Sequence, residues 1–323
     1  MNESFPTSPD QLNVKWLSDA LGEPVKSFEI TPIGEGRGNL GDLVLVSLDS
    51  GKSVVAKFAA DRQETLNAAK RSGLFEREIK FYNELSPNLN LHLPKLLAST
   101  YDSSTAYFVM LLEYLEPVKE ADSISGIGVD HTRQVLAELA KLHTQGKHLI
   151  KTPWLQTMIT SNRIDNLTIM IKEGWPVLRE ICGQLVEPLE KIDLLETFLE
   201  TMHYLNTVEQ TIVHGDIKPD NLIIRRQGVA IIDWQGFGIG PPSWDVAACM
   251  CQCLTTEERR LYESELLADY PHDLVGYKEA LFFGIVIACA LPILGNPEDP
   301  RLGKLVESIT ERTMSAMSDA GTL

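Results

Sequence analysis

Positive charge is scarce in this sequence. Its 323 residues carry 29 Lys and Arg against 45 Asp and Glu, a formal net charge of −16. That balance argues against a nucleic-acid partner, because a phosphate backbone is gripped by cations. It also means that a bound phosphate must be met by a few local lysines and a metal. An acidic surface suits cationic ligands, and it serves solubility equally well. Cysteine is scarce too: Cys182, Cys249, Cys251, Cys253 and Cys289 are odd in number and lack the spacing of a disulfide framework. They point to a reducing compartment. On a helix Cys249 and Cys253 share a face and Cys251 does not, so these read as core cysteines, with metal binding the alternative. The opening Met1–Pro6 lacks the basic and apolar stretches of a signal peptide. The longest apolar run, Leu281 to Leu294, is too short for a membrane span and is interrupted by Pro292. Internal repeats and low-complexity linkers are absent. The expectation is a cytoplasmic protein with neither a membrane nor a nucleic acid as partner and with its oligomeric state open. The length and a hydrophobic content of 44% allow two domains or lobes, each with its own core.

The most informative residues lie in Val213-His214-Gly215-Asp216-Ile217-Lys218-Pro219-Asp220-Asn221 and in Ala230-Ile231-Ile232-Asp233-Trp234. Short apolar runs end here on an Asp, an Asn and a second Asp. Phosphoryl transfer from a nucleotide needs an acceptor hydroxyl held in line and metal ions to neutralise phosphate charge. Asp216 is placed to accept or orient the hydroxyl proton. Asn221 and Asp233 supply hard oxygen ligands of the kind Mg²⁺ takes. Leu222-Ile223-Ile224 and Val229-Ala230-Ile231-Ile232 flank an Arg225–Gly228 turn signal, which predicts a hairpin with Asn221 and Asp233 at its open end.

Upstream, Ser8-Pro9-Asp10 reads as the start of a helix that ends at Leu21-Gly22. Strands are expected over Val25–Ile33, Leu43–Leu48 and Ser53–Ala59, an antiparallel meander. Gly36, Gly38 and Gly41 lie between the first two. A dinucleotide fingerprint would be followed by a helix. Here a strand follows, so the glycines suit a hairpin whose amides approach nucleotide phosphates. Lys57 sits in an apolar strand, where it needs an anionic partner. Phosphates are one candidate and Glu78 another. Leu74, Phe75, Ile79, Tyr82 and Leu85 recur at helical spacing, which puts Glu78 at the edge of an apolar stripe; Glu76 competes for the same role. A strand over Ala106–Leu112 leads into Glu113-Tyr114-Leu115-Glu116-Pro117, read as a connector between lobes whose backbone, at Glu113 and Leu115, meets an adenine edge. Val135–His143 reads as a helix with His143 packed at its end. Trp154, Trp175 and Trp234 fit a ligand cradle or plain core packing.

In this order the motifs resemble the kinase fold. The form His-Gly-Asp, Asn, Ile-Asp-Trp is similar to the aminoglycoside phosphotransferase and choline-kinase-like superfamily. The opening helix, Gly36-Arg37-Gly38 and Asp233-Trp234-Gln235 also resemble the ecdysteroid-kinase-like branch. No Asp-Phe-Gly and no Ala-Pro-Glu mark a protein kinase. The resemblance implies an α+β, two-lobed protein-kinase-like fold: a small N-lobe (1–116) with an antiparallel sheet plus a helix, binding nucleotide, and a larger, mostly helical C-lobe (117–323) with the catalytic loop and acceptor site. It implies a small-molecule kinase using ATP or GTP with Mg²⁺ and a hydroxyl acceptor. Asp216 would be the base, Asn221 and Asp233 the metal ligands, and Lys57 the phosphate anchor oriented by Glu78. Asp245 would brace the catalytic loop through backbone amides, a role compatible with capping a helix N-terminus, and His214 would be structural. Lys218 departs from many aminoglycoside phosphotransferases and resembles the protein-kinase catalytic loop, which implies a contact to the transferring phosphate. The alternatives are a nucleotide-binding pseudokinase-like scaffold and a protein kinase.

Overall fold

The computed structural model describes residues 5–33 and 41–323. Gly36 and Gly38 lie outside the described residues. The chain forms two compact units. One comprises Met1–Asn88, Leu93–Glu116 and Ile232–Gln235; the other comprises Leu89–His92, Pro117–Ile231 and Gly236–Leu323.

The first unit contains α1 (Val14–Leu21), β1 (Phe28–Pro32), β2 (Gly41–Leu48), β3 (Ser53–Ala59), α2 (Gln63–Ser72), α3 (Leu74–Lys80), β4 (Leu96–Tyr101) and β5 (Phe108–Glu113). The strands form one antiparallel sheet in the order β1-β2-β3-β5-β4. Side chains alternate across a strand. Val44, Val46 and Leu48 of β2 and Val54, Ala56 and Phe58 of β3 therefore share one buried face, with Leu12, Leu17, Val109 and Leu111. Lys57 falls on the other face. Gly41 opens β2 rather than sitting in the turn before it; a Cβ there would lie 2.2 Å from the Phe58 carbonyl oxygen, so only glycine fits.

Some expected boundaries move. Ser8 precedes only a short 3₁₀ turn, Pro9–Gln11, and makes no capping bond. The chain then extends at Leu12, and α1 starts afresh where the Asn13 side chain accepts from the Trp16 amide at 2.9 Å. Asn13 thus supplies the cap expected of Ser8. The helix expected through Leu85 is α-helical only to Lys80; Phe81–Leu85 winds as a wider π turn that buries Phe81, Tyr82 and Leu85. The strand β4 was not anticipated, because its Leu-Leu-Ala-Ser-Thr-Tyr run has no clean alternation and none of its residues is fully buried.

The second unit contains α4 (Val129–Leu149), α5 (Ser161–Cys182), α6 (Leu194–Leu205), β6 (Thr211–Val213), β7 (Leu222–Arg225), β8 (Gly228–Ile231), β9 (Gly238–Gly240), α7 (Pro242–Cys253), α8 (Thr256–Ala268), α9 (Tyr277–Leu281), α10 (Phe283–Leu294) and α11 (Leu302–Ala320). Two short antiparallel ladders, β7–β8 and β6–β9, sit among the helices. The core gathers Phe198, Trp244, Cys251, Val286, Cys289 and Met314 from four helices. Cys249, Cys251 and Cys253 are all buried in α7, and among the described residues no group of three or more His, Cys, Asp or Glu is arranged to hold a metal. By length and composition Tyr277–Leu294 would suffice to cross a membrane, with a mean hydropathy of 1.8. It is two helices, α9 and α10, and Leu281, Phe283, Ile285, Val286 and Cys289 are buried in the unit's core.

Candidate active site

The first unit assembles a compact charged cluster. The Lys57 ammonium donates to both oxygens of Glu78, at 2.9 and 2.8 Å, and to Oδ1 of Asp233 at 2.8 Å. Each element contributes through its own geometry: strand alternation turns Lys57 away from the apolar face, and α3 presents Glu78 from the same side as Phe75 and Ile79. Glu78 is 1% exposed and Lys57 16%, so the pair is largely out of water. Burial alone would lower the Lys57 pKa, but Asp233 and Glu78 beside it raise it above the ordinary lysine value. Burial raises the Glu78 pKa, with Lys57 opposing and Asp233 reinforcing the shift. Glu76, the competing carboxylate, pairs instead with Lys80 one turn on.

Asp233 adopts a left-handed φ of 64°, uncommon for a residue with a side chain. Its Oδ2 accepts from the Gln235 side-chain amide at 3.1 Å. A carboxylate with two oxygens has about four acceptor positions, so it can still bind a cation. Between these residues, Trp234 is fully buried and stacks on Phe81, with centroids 3.9 Å apart and planes 7° from parallel. Trp234 is therefore core, and the π turn after α3 is what carries Phe81 to it.

The second unit holds Asp216, Lys218 and Asn221. Asp216 Oδ2 accepts from the Lys218 ammonium at 2.7 Å and from the Asn221 amide at 3.0 Å. The Asn221 amide nitrogen also donates to the Asp216 carbonyl at 2.8 Å. Both its protons are thus engaged, which fixes the amide's orientation and leaves Oδ1 as its oxygen face. Leu222 pairs with Ile231 as the hairpin's last rung, so Asn221 immediately precedes its open end. Gly215 sits at φ +80, and a Cβ there would lie 2.3 Å from Met158 Cε and 2.8 Å from the Gly236 carbonyl oxygen. Only glycine can pass between His214 and Asp216.

Asp245 braces this loop. It is fully buried in the first turn of α7 and its carboxylate accepts from the His214 amide at 2.7 Å and the Gly215 amide at 2.9 Å. It does not cap its own helix; the residue at that cap is Pro241. A third donor comes from His143, whose Nε2 lies 3.2 Å from Asp245 Oδ2. His143 sits well inside α4 rather than at its end. Its Nδ1 is 2.6 Å from the Tyr270 hydroxyl. The chemistry selects one tautomer: a carboxylate only accepts, so Nε2 carries the proton and Nδ1 accepts from Tyr270. His214 is also buried, and the Asp216 amide donates to its Nδ1 at 3.3 Å. Asp220 is tied from a distance, accepting from the Ser123 hydroxyl at 2.8 Å.

Glu113 ends β5, and its amide donates to the Lys95 carbonyl at 2.8 Å; Leu115 is buried. Sequence reasoning missed Gln235, Ser123 and Tyr270. Gln235 adjoins Asp233 and was within reach of a local reading. Ser123 and Tyr270 pair across 97 and 127 residues, and no pattern announces that. An open surface cavity of about 570 Å³ lies at Tyr270, His272 and Gly276, and none of the charged residues of either cluster lines it.

A model of the ecdysteroid kinase-like family matches residues 46–282. Among solved structures, a spectinomycin phosphotransferase in complex with ADP and spectinomycin is 12% identical, covers 96% of this chain and 98% of its own, and superposes with a TM-score of 0.58. The choline kinase LicA of Streptococcus pneumoniae is 16% identical over 94% and 97%, with a TM-score of 0.54. An amicoumacin kinase bound to AMP-PNP, Ca²⁺ and its ligand is 13% identical over 92% and 91%, with a TM-score of 0.57. At these identities the likeness establishes the fold: α+β, with an N-terminal antiparallel sheet of five strands and a helical C-terminal part. No curated protein matches the chain.

Proposed function

We propose that this chain, which belongs to the ecdysteroid kinase-like family, is a small-molecule kinase that moves the γ-phosphate of ATP or GTP to a hydroxyl acceptor with Mg²⁺. The observation that carries the reading is the largely buried Lys57 ammonium held at once by Glu78 and Asp233. A structural ion pair needs one carboxylate. A second one, in a left-handed conformation, supplies the anionic oxygen that a phosphate-bound cation requires. The residue types fit the metal by their chemistry: an Asp carboxylate (Asp233) and an Asn amide oxygen (Asn221) are hard ligands, and Mg²⁺ would complete its shell with water and phosphate. When bound, the cation neutralises charge on the nucleotide phosphates.

The chain's own groups then have separate tasks. Lys57, kept charged by its carboxylates, anchors phosphate oxygens. Gly36 and Gly38 would allow close backbone approach to them. The Glu113 amide is spent on Lys95, so an adenine edge would meet the Glu113 carbonyl and the Leu115 peptide. On Asp216, Oδ2 carries both Lys218 and Asn221, so Oδ1 is the oxygen that receives the acceptor proton. As that proton leaves, the hydroxyl oxygen bonds to the γ-phosphorus and the bond to the β–γ bridging oxygen breaks, releasing the nucleoside diphosphate. Lys218 is suited to turn from Asp216 to the transferring phosphate and stabilise its charge.

A screen of hydroxyl compounds for stimulated ADP release identifies the acceptor class. With an active acceptor, Asp216→Asn should lower turnover by about 10²–10⁴-fold while nucleotide affinity survives. Lys218→Ala should lower it too. Loss of nucleotide affinity in Asp216→Asn, with turnover per bound nucleotide unchanged, would sink the base role.

A further inference from the structure

The Lys57–Asp233 cluster contains one group that the proposed chemistry has not used. Gln235 lies in the short 3₁₀ turn Trp234–Gly236, two residues past Asp233. Its Nε2 donates to Asp233 Oδ2 at 3.1 Å. That bond settles which end of the amide is which, because a carboxylate cannot donate. Its Oε1 is then fixed in place, fully buried, and has no hydrogen-bond partner among the described residues. A buried carbonyl oxygen without a donor is costly, on the order of 1–3 kcal/mol. An apolar side chain of the same size would avoid that cost. The oxygen makes sense if something that donates arrives beside Asp233.

The candidates for that donor are few. Lys57 is taken up by Glu78 and by the other oxygen of Asp233. Mg²⁺ dehydrates reluctantly and keeps several of its waters, each a strong donor when polarised by the cation. Ligating carboxylates are themselves oriented by hydrogen bonds from a surrounding shell. Gln235 has both halves of that job in one side chain: a donor to steady the carboxylate and an acceptor for a cation-bound water.

We propose that Gln235 is a positioning residue for the divalent cation. Its amide nitrogen holds Asp233 Oδ2, and its amide oxygen accepts from a water of the cation's hydration shell. This rests on the nucleotide-and-metal reading of Asp233 and goes beyond it, since it assigns part of the cation affinity to a residue that does not ligate.

The test measures binding, not turnover. A fluorescent methylanthraniloyl-ADP is titrated with Mg²⁺ or Mn²⁺ to give the half-saturating cation concentration. Its affinity is measured again at saturating cation. Gln235→Leu should raise the half-saturating concentration about 10–100-fold, with nucleotide affinity at saturating cation nearly unchanged. Gln235→Glu separates the two halves of the proposal, because it keeps an acceptor and loses the donor to Asp233. A half-saturating concentration at or below the wild-type value supports the acceptor role. A rise as large as that of the Leu variant overturns it. An unchanged Leu variant, or an equal loss of nucleotide affinity at every cation concentration, overturns the proposal as well. If the unaltered protein binds the nucleotide with no dependence on divalent cation, the underlying reading fails and this inference goes with it. Thermal unfolding of both variants without ligand identifies a variant that is misfolded rather than impaired in binding.

Discussion

Lys57 shows what one residue contributes before any ligand arrives. Its ammonium meets two carboxylates, Glu78 and Asp233, and one of them, Glu78, is almost wholly buried. Removing one member of such a pair costs more than the pair contributes, because the remaining charge is stranded. Lys57→Met should therefore destabilise the protein by about 3–5 kcal/mol at neutral pH, measured by urea denaturation. The pH dependence has a definite sign. The raised Lys57 pKa means a contribution that is complete below the ordinary lysine value of about 10.4 and is lost as pH rises through the folded value. The raised Glu78 pKa likewise means stability that is greatest below the ordinary glutamate value of about 4.3 and is lost as pH rises. In Lys57→Met a proton on Glu78 replaces the missing cation. The deficit relative to the unaltered protein should therefore shrink as pH is lowered from about 8 toward 5. A deficit that stays constant or grows on acidification would rule out this account. At this scale much was legible: an apolar strand carrying a lysine demanded a carboxylate, and helical spacing favoured Glu78 over Glu76. What spacing could not convey was that Asp233 would be a second partner to the same ammonium, 176 residues away.

Elements explain the misplaced boundaries and the hidden braces. Ser8-Pro9-Asp10 had the composition of a helix start, yet the backbone extends again at Leu12 and Asn13 does the capping. Composition indicates that a cap is available; which candidate is used depends on where the helix can bury Leu17. The segment after Glu78 kept its apolar residues in helical register, yet it widens into a π turn because Phe81 must reach Trp234. The loop at His214 and Gly215 is held by α4, α7 and the segment beyond α8, through Tyr270, His143 and Asp245. Tyr270→Phe removes the donor to His143 Nδ1 and leaves a buried acceptor open. It should cost about 1–2 kcal/mol and speed amide exchange at His214 and Gly215, with nucleotide affinity at the Lys57 cluster unaltered. Unchanged exchange at those two amides would show that the loop does not depend on this chain of bonds.

For the whole molecule, the charge of −16 sets the terms. An acidic chain that binds a polyphosphate must do so through local cations and metal, so nucleotide and divalent cation should act together. ADP with Mg²⁺ at about a hundred times its dissociation constant should stabilise the fold by about 2.7 kcal/mol, seen as a raised unfolding temperature. ADP alone, or either ligand with Lys57→Met, should give much less. Equal stabilisation with and without the cation would contradict the proposed site. The sequence by itself determined β2, β3, β5, the β7–β8 hairpin and the residue types of the site, because strand alternation, helical spacing and turn residues are local properties; the class of fold followed from the order of the motifs and its resemblance to the kinase fold. Tertiary structure decided which groups meet: Asp233 with Lys57, His143 with Asp245 and Tyr270, Ser123 with Asp220, and the unpartnered oxygen of Gln235. Those meetings join residues far apart in the chain, and the energy of a buried charge or hydrogen bond depends on what surrounds it rather than on its place in the sequence. The stretch from His214 to Asp233 carries the motifs on which the proposed reaction rests; the packing around it sets which of its atoms face which neighbours.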